Sequence, residues 1–233
     1  MFPDDLKLLT TEDGSYTLYD PELDESYHST FGARTESDQV YLRNAGVYHR
    51  LSLKKPTSVL EIGFGTGYNF VHTALKAIDT GCLLDYTAIE MYPLPSELAL
   101  KLLNQNAPNK ALAAFTADAL SEITSHATDT QTTFGEFIKL SLVYADATQW
   151  HPGPKRFDAI YLDAFSKKNN PLLWQSSFLA TLKHSLSDDG TLATYCVNRS
   201  FREALSESGW HWQKLPGPKG KREVLIAKHS PLD

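Results

Sequence analysis

The distribution of apolar and polar residues along the chain predicts alternating strands and helices. Short β-prone apolar runs predict strands at residues 58–62, 83–89, 140–144, 159–162 and 191–195. Apolar side chains at helical spacing predict helices at residues 68–78, 95–104, 172–185 and 201–208. Such alternation is typical of a mostly parallel sheet with helices on both faces, in which a ligand binds at the carboxyl ends of the strands.

Both ends of the chain depart from this alternation. Asp13 and Gly14 lie between two β-prone runs and predict an N-terminal β-hairpin, followed by a helix over residues 37–51 with Ser37 as its N-cap. Near the other end, the β-prone residues 210–215 and 223–227 are joined by a link too short for a crossover helix. These two runs are therefore expected to pair antiparallel.

The polar, threonine-rich stretch 107–137 contains no clear strand signal and predicts an insertion with a short helix near residues 119–125. We therefore expect an N-terminal extension over residues 1–52 and a main domain over residues 53–233 that carries this insertion.

Composition limits the classes of protein to which the chain can belong. The 233 residues are 42% hydrophobic, which fits a packed globular domain, and the net charge of -6 means that any nucleic-acid contact must be local. Cys82 and Cys196 form no metal-binding spacing, so we expect no metal. The acidic residues 1–5 do not resemble a signal peptide, and no run approaches the roughly 18 apolar residues of a membrane span, so a cytoplasmic protein without a membrane partner is expected.

A glycine-rich turn follows the first strand of the predicted sheet. Glu61 ends the apolar run, and Gly63, Gly65 and Gly67 come before the next helix. The dinucleotide fingerprint would need a third glycine at the position of Tyr68. The acid-x-G-x-G-x-G pattern instead resembles motif I of class I S-adenosylmethionine-dependent methyltransferases, which have a Rossmann-like fold and end in an antiparallel hairpin.

This resemblance implies a set of cofactor-binding residues. Glu61 is expected to meet the amino group of the methionine moiety, and Glu90, at the end of the second strand, to bind the ribose hydroxyls. Asp146 is preferred over Asp118 as the residue that contacts the adenine, because a β-prone run precedes Asp146. The complete expected set is Glu61, Gly63, Phe64, Gly65, Thr66, Gly67, Asn69, Glu90, Met91, Asp146 and Asp163.

The segment after the fourth strand contains the candidate catalytic residues. Asp163 leaves the strand, and Asn170-Pro171 begins the next helix. A methyl acceptor must present a free lone pair, so Asp163 is expected to orient an amine and help to remove its proton. Asn170 is expected to hold the acceptor, although an N-cap with Pro171 at the first helical position is an equal alternative.

Several segments together resemble the methyltransferase half of the bifunctional tRNA 5-methylaminomethyl-2-thiouridine biosynthesis proteins and its stand-alone relatives. The matching segments are 13–15, 27–33 with 36–37, 63–70, 90 with 92–94, 163–165 with 170–171 and 174, 190–195, and 220–223. The resemblance implies methylation of the aminomethyl group on a wobble uridine of tRNA. Where the family commonly has Asp-Gly-Phe followed by Ala-Pro, this chain has Ala164 as the middle residue and Ser166-Lys167 afterwards.

The same resemblance implies the partners. Fused members of the family carry an FAD-dependent oxidase domain, and this chain is too short for one, so a stand-alone enzyme without flavin is expected. A separate FAD-dependent oxidase or an upstream modification enzyme would then be its partner. The residues expected to bind the tRNA substrate are Tyr27, His28, Lys167, Lys168, Trp174, Lys221 and Arg222.

Other functions stay open at this point. An aminopropyltransferase-like protein would share the N-terminal hairpin and the sheet, but its loop typically reads Gly-Gly-Gly-Asp-Gly. A small-molecule methyltransferase and a non-catalytic tRNA-binding module are the remaining alternatives. Acids at four strand ends, namely Glu61, Glu90, Asp146 and Asp163, argue against a non-catalytic module.

Overall fold

A computed structural model describes residues 6–106, 109–126, 129–151, 153 and 156–232. The strands are β1 (Lys7–Thr10), β2 (Tyr16–Asp20), β3 (Glu25–Ser26), β4 (Thr57–Ile62), β5 (Leu84–Glu90), β6 (Thr130–Phe134), β7 (Ile138–Tyr144), β8 (Phe157–Leu162), β9 (Leu186–Thr194), β10 (His211–Pro216) and β11 (Glu223–Lys228). The α-helices are α1 (Ala33–Glu36), α2 (Val47–Ser52), α3 (Tyr68–Thr80), α4 (Ser96–Asn106), α5 (Lys110–His126), α6 (Ser176–Ser185) and α7 (Arg199–Glu207).

The central sheet has the order β10-β11-β9-β8-β4-β5-β7-β6. The pairs β4/β5, β5/β7, β4/β8 and β8/β9 are parallel, which confirms the predicted mostly parallel α/β fold. After β4 and β5 the chain returns to place β8 on the other side of β4, so the strand order reverses beside β4. A crevice opens at such a switch point, at the carboxyl ends of the strands.

Both predicted terminal hairpins are present. β1 and β2 pair antiparallel, with β3 added as a short third strand. At the other end β10 and β11 pair antiparallel, and β11 joins the central sheet beside β9. Residues 1–5, on which part of the localisation argument depends, lie outside the described residues.

The prediction for the stretch 107–137 missed a strand, and the short helix expected near residues 119–125 lies within a longer one. Its described part contains the long helix α5 and the strand β6, which pairs antiparallel with β7 at the edge of the sheet; residues 107, 108, 127 and 128 lie outside the described part. β6 has the sequence Thr-Gln-Thr-Thr-Phe, and none of its residues is fully buried. An edge strand needs little apolar surface, so its sequence carries a weak hydrophobic signal.

Two predicted helices are interrupted. The segment 37–51 consists of a π-helical stretch over Ser37–Arg43 that continues α1, and then α2, with a break at Gly46, whose φ is 79°. The segment 172–185 begins as a 3₁₀ helix over Pro171–Trp174, and the extended backbone of Gln175 separates it from α6.

Apolar side chains fill both faces of the sheet, and successive residues of β4 supply opposite faces. Val59 packs in the cluster with the helix α3, and Leu60 and Ile62 pack in the cluster with α6 and α7. None of the helices in the described ranges is long and apolar enough to cross a membrane.

Candidate active site

A cavity of about 910 Å³ opens at the carboxyl edge of the parallel strands. Its walls come from the segments after β4, β5, β7 and β8, from residues of the N-terminal extension, and from the turn between β10 and β11. Twelve of the predicted site residues line it: Tyr27, His28, Gly63, Phe64, Gly65, Thr66, Glu90, Met91, Asp146, Asp163, Asn170 and Lys221. The strand ends and the two terminal extensions therefore meet at one site.

The turn after β4 accepts only glycine at two positions. Gly63 has a φ of 87°, and a Cβ there would lie 2.9 Å from the carbonyl oxygen of Asp163. Gly67 has a φ of 75°, and a Cβ there would lie 2.6 Å from the Thr116 side chain. The backbone of the turn therefore packs directly against the segment that carries Asp163, and it leaves room for a ligand on its cavity side.

Glu90 joins the end of β5 to this turn. Its carboxylate accepts hydrogen bonds from the N–H of Gly65 at 2.9 Å and of Tyr92 at 2.8 Å. Burial raises the pKa of Glu90, and these amide donors oppose that rise. Met91 and Tyr92, which are 44% and 64% exposed, extend the cavity wall beside this carboxylate.

The two candidates for the adenine contact lie in different places. Asp146 lines the cavity, where its Oδ1 accepts hydrogen bonds from the N–H and the hydroxyl of Thr148, both at 2.8 Å. Asp118 is exposed on α5 and does not contribute to the described cavity wall. The position of Asp146 favours the sequence-based preference.

Glu61 does not occupy the place expected for a direct cofactor contact. Its side chain is fully buried behind the turn, where it accepts hydrogen bonds from Asn69 Nδ2 and from the hydroxyl of Tyr86, both at 2.8 Å. Glu61 lies next to last in β4 and points to the face opposite Ile62. Asn69, which is itself buried, connects it by hydrogen bonds to Asp163 at the cavity.

Asp163 is held by a hydrogen-bond network that the sequence analysis did not foresee. Asn69 Nδ2 donates to Asp163 Oδ2 at 2.7 Å, and the Tyr41 hydroxyl donates to Oδ1. Ser37 donates in turn to Asn69 Oδ1 at 2.5 Å. Ser37 and Tyr41 are four residues apart in the π-helical stretch, so their spacing was the available signal that both face the core.

Burial raises the pKa of Asp163 to about 8, and the negative charge of Glu36 adds to the rise, whereas Tyr41 and Asn69 oppose it. Burial also raises the pKa of Glu61, with Asp163 as the next contribution. Two carboxyl groups that share the amide of Asn69 therefore both favour the protonated form.

The segment after Asp163 is fixed from two sides. Trp174, expected to bind substrate, is instead buried in the core, where its indole N–H donates to the carbonyl of Phe165 at 2.9 Å. Phe165 lines the cavity and packs edge to face against Tyr27 at 5.0 Å. Asn170 precedes the 3₁₀ helix with Pro171 at its start, but its side chain makes no capping hydrogen bond. Asn170 therefore lines the cavity without serving as a side-chain cap.

Glu25 in β3 of the N-terminal extension binds the segment that follows Asp163. Its carboxylate accepts hydrogen bonds from the N–H of Ser166 at 2.8 Å, the hydroxyl of Ser166 at 2.9 Å and Asn169 Nδ2 at 2.7 Å. His28 lies nearby against the glycine turn, with its Nε2 2.9 Å from the Thr66 hydroxyl. The N-terminal extension thus forms a wall of the cavity.

The predicted basic residues divide into two groups. Lys167, Lys168 and Arg222 are exposed outside the cavity; Lys167 donates to Ser200, and Lys168 lies 3.8 Å from Asp24. Lys221 instead reaches into the cavity, where it pairs with Glu36 at 3.2 Å. Sequence analysis did not identify Glu36 as a site residue.

Comparison with known proteins identifies this arrangement. The profile of a family described as S-adenosyl-L-methionine-dependent methyltransferase matches residues 103–230, more than half of the chain. The chain belongs to this family. Its cofactor is therefore S-adenosylmethionine, as the glycine turn predicted.

Similar proteins agree with this assignment. The tRNA 5-methylaminomethyl-2-thiouridine biosynthesis bifunctional protein MnmC of Paraburkholderia phymatum is 31% identical over an alignment of 222 residues that covers 92% of this chain and 34% of that protein. The protein of the same name from Burkholderia pseudomallei is 30% identical over an alignment of 237 residues, gaps included, that covers 96% of this chain and 36% of that protein. The methyltransferase thus spans about a third of the length of these curated relatives.

A solved structure shows the same fold. The crystal structure of MnmC2 from Aquifex aeolicus superposes with a TM-score of 0.78 at 23% sequence identity, covering 99% of this chain and 73% of that chain. The parallel strands with an antiparallel C-terminal hairpin are those of a class I methyltransferase, as the sequence predicted. The strand β6 extends this sheet at the edge beside β7.

Proposed function

We propose that this methyltransferase transfers a methyl group to the primary amine of 5-aminomethyluridine, with or without a 2-thio group, at the wobble position of tRNA. The observation that carries the proposal is that the glycine turn and the Asp163 segment meet closely at one cavity. A Cβ atom added to Gly63 would lie only 2.9 Å from the carbonyl oxygen of Asp163. A methyl donor on the turn and an amine at Asp163 would be neighbours. The names of the curated relatives supply the substrate class.

The cavity walls fit a bound S-adenosylmethionine. The backbone of the Gly63–Gly67 turn would lie along the methionine moiety, Glu90 would bind the ribose hydroxyls, and Asp146 would contact the adenine amino group. The turn packs closely against the N-terminal extension here, because a Cβ atom added to Gly65 would lie 3.2 Å from the Tyr27 ring. Phe64, Thr66 and Met91 complete this wall, and Asn69 supports it from behind. When bound, the cofactor supplies an electrophilic methyl group.

Asp163 would handle the proton of the acceptor. A primary alkylamine is mostly protonated near neutral pH and then has no lone pair with which to attack. The carboxylate can bind the ammonium form and accept its proton, and a carboxyl group whose pKa lies at about 8 is well matched to that exchange. The aromatic rings of Tyr27 and Phe165 would hold the flat base, and Asn170 would offer it a hydrogen bond.

Basic residues outside the cavity would contact the tRNA backbone. Lys167, Lys168 and Arg222 are exposed near the acceptor segment and could bind phosphates even though the net charge is -6. The reaction would take place in the cytoplasm. A separate FAD-dependent oxidase or another upstream modification enzyme would supply the aminomethyl nucleoside.

The decisive experiment is transfer of labelled methyl groups to tRNA that lacks this modification, followed by nucleoside analysis. We expect one labelled nucleoside, methylated on the side-chain amine. Asp163→Asn retains the size of the side chain but removes its charge, and should lower the rate by about 10²–10⁴, the range for a lost general base, while cofactor affinity measured by calorimetry stays unchanged. Methylation of a small molecule but not of tRNA would favour the small-molecule alternative, and cofactor binding without any transfer would favour a non-catalytic module.

A further inference from the structure

Lys221 is partly buried and lines the cavity that Asp163 also lines. Its side chain is 26% exposed, and its ammonium lies 3.2 Å from Glu36 Oε1 and 4.5 Å from the ring centre of Tyr195. Its neighbour Arg222 is exposed and lies off the described cavity wall. The two adjacent basic residues therefore face different surroundings.

The position of Lys221 is enforced from both sides. Gly220 has a φ of 85°, and a Cβ there would lie 2.1 Å from the ring of Phe31, so the turn packs tightly on the N-terminal extension. Glu36 is 4% exposed, and its second oxygen accepts a hydrogen bond from the N–H of Ser29 at 2.8 Å. A buried carboxylate without a cation is costly, which favours a preformed pair.

A surface pair in the same turn provides a comparison. Lys219 lies 2.7 Å from Glu12, but these side chains are 73% and 49% exposed. Both lysines thus link the C-terminal turn to the N-terminal extension through a glutamate. Solvent weakens the electrostatic effect of the outer pair more than that of the inner pair, whose side chains are 26% and 4% exposed.

Asp163 lies among groups that become negatively charged when ionised, and the ammonium of Lys221 opposes their effect on its pKa. The titratable groups that affect Asp163 or are affected by it are Glu36, Glu61, Tyr41, Tyr86, Tyr195 and Lys221. Lys221 lowers the pKa of Asp163, in opposition to burial and to Glu36, and it also lowers that of Cys196. The carboxylic and phenolic groups in this set carry negative charge when ionised, so the ammonium offsets them.

We propose that Lys221 is a positioning residue for proton removal, which favours the ionised form of Asp163 and disfavours protonation of the acceptor amine. This role rests on the proposed amine acceptor. The ammonium form of the acceptor would give one proton to the Asp163 carboxylate, which frees the lone pair on nitrogen. That lone pair would form the new N–C bond to the methyl group, and the bond between the methyl carbon and the donor's sulfur would break with its electrons on sulfur. The methylated amine leaves as an ammonium ion, and Asp163 releases its proton to solvent.

The test is the pH dependence of kcat at saturating tRNA and cofactor. In the unaltered enzyme, the rate should rise with pH with a midpoint near pH 8, the pKa to which burial and Glu36 raise Asp163, and level off at higher pH. Lys221→Met should move the midpoint to higher pH, because Lys221 lowers the pKa of Asp163, so the rate falls at neutral pH and recovers at alkaline pH. Lys221→Arg should keep the midpoint, and Lys219→Met is the matched control that should also keep it.

A second measurement does not depend on turnover. The ¹³C carboxyl resonance of Asp163, assigned by its loss in Asp163→Asn, should titrate at higher pH in Lys221→Met than in the unaltered protein. If tRNA is not methylated, the proposed function fails, but this titration still decides whether Lys221 controls Asp163. Identical carboxyl midpoints would overturn the inference, as would a rate loss in Lys221→Met that is the same at every pH.

A double variant separates the electrostatic effect of Lys221 from a loss of folding caused by an unpaired Glu36. Lys221→Met leaves Glu36 buried without its cation, whereas Glu36→Gln with Lys221→Met removes both charges and keeps an oxygen for the N–H of Ser29. Glu36 raises the pKa of Asp163 by more than Lys221 lowers it, so the midpoint of the double variant should lie below those of both Lys221→Met and the unaltered protein. A midpoint at or above that of Lys221→Met would contradict the electrostatic account.

Discussion

Replacing Glu25 by alanine should loosen the segment after β8, which carries residues proposed to bind the acceptor. Three donors converge on the Glu25 carboxylate at 2.7–2.9 Å, two from Ser166 and one from Asn169. Asn169 Nδ2 also donates to the carbonyl of Leu23 at 3.0 Å, so this side chain keeps one partner in the variant. The loss therefore falls mainly on Ser166.

The size of the effect follows from these contacts. A hydrogen bond to a charged group contributes about 1.5–3 kcal/mol. Because three donors share one carboxylate, their combined contribution is that of one to two such bonds, about 3 kcal/mol. At about 1.4 kcal/mol per factor of ten, opening of the segment should become roughly 10²-fold more frequent. The catalytic centre itself would retain its carboxylate, because Asn69 and Tyr41 hold Asp163 independently of Glu25.

Hydrogen exchange measures this opening directly, since the Ser166 amide is one of the donors. In Glu25→Ala its exchange should accelerate by about 10², and the KM for tRNA should rise while cofactor affinity stays constant. Asp24→Asn is the control, because Asp24 faces the same segment through an exposed pair with Lys168 and should change little. Equal protection of the Ser166 amide in Glu25→Ala and the unaltered protein would refute the reasoning.

Three further changes test other parts of the site. Glu90→Ala should weaken cofactor binding by about 1.5–3 kcal/mol in calorimetry without added metal, and an unchanged affinity would remove Glu90 from the ribose site. Tyr41→Phe removes a donor that lowers the pKa of Asp163, so the midpoint of the rate profile should move to higher pH; a shift to lower pH would contradict this sign. Charge reversal of Lys168 and Arg222 should raise the KM for tRNA and flatten its salt dependence, whereas an unaltered salt slope would return both to ordinary surface residues.

The fold could be predicted wherever burial imposes a pattern on the sequence. β4 and β8 are buried on both faces along most of their length, and adjacent apolar residues mark them in the sequence, Val59-Leu60 in β4 and residues 159–162 in β8. β6 lies at the sheet edge with only partly buried or exposed residues, so its threonines resembled a loop. The strand forms because β7 offers it a ladder of five residue pairs, which is information held by another segment.

The meeting of the acids expected to bind the cofactor was also predictable for a general reason. Parallel strands end at one edge, so acids that follow the strands, such as Glu90 and Asp146, are brought together by the topology alone. The prediction for Glu61 assumed that an acid near the glycines faces the ligand. Alternation of side chains along β4 instead turns Glu61 into the interior, where Tyr86 and Asn69 satisfy its oxygens.

The acceptor side depends on pairings between distant segments, which no local pattern encodes. Lys221 and Arg222 are equivalent as a basic pair in the sequence, and phosphate binding was the natural expectation for both. What separates them is Glu36, a buried residue at the end of α1 that no local signal connects with the C-terminal turn. The pairing turns one cation into the cavity that Asp163 also lines and leaves the other exposed. On these proposals a short basic motif would serve proton removal with one residue and phosphate contact with the next. Lys221→Met and the charge reversal of Lys168 and Arg222 separate the two roles, because only the effect of Lys221→Met should depend on pH.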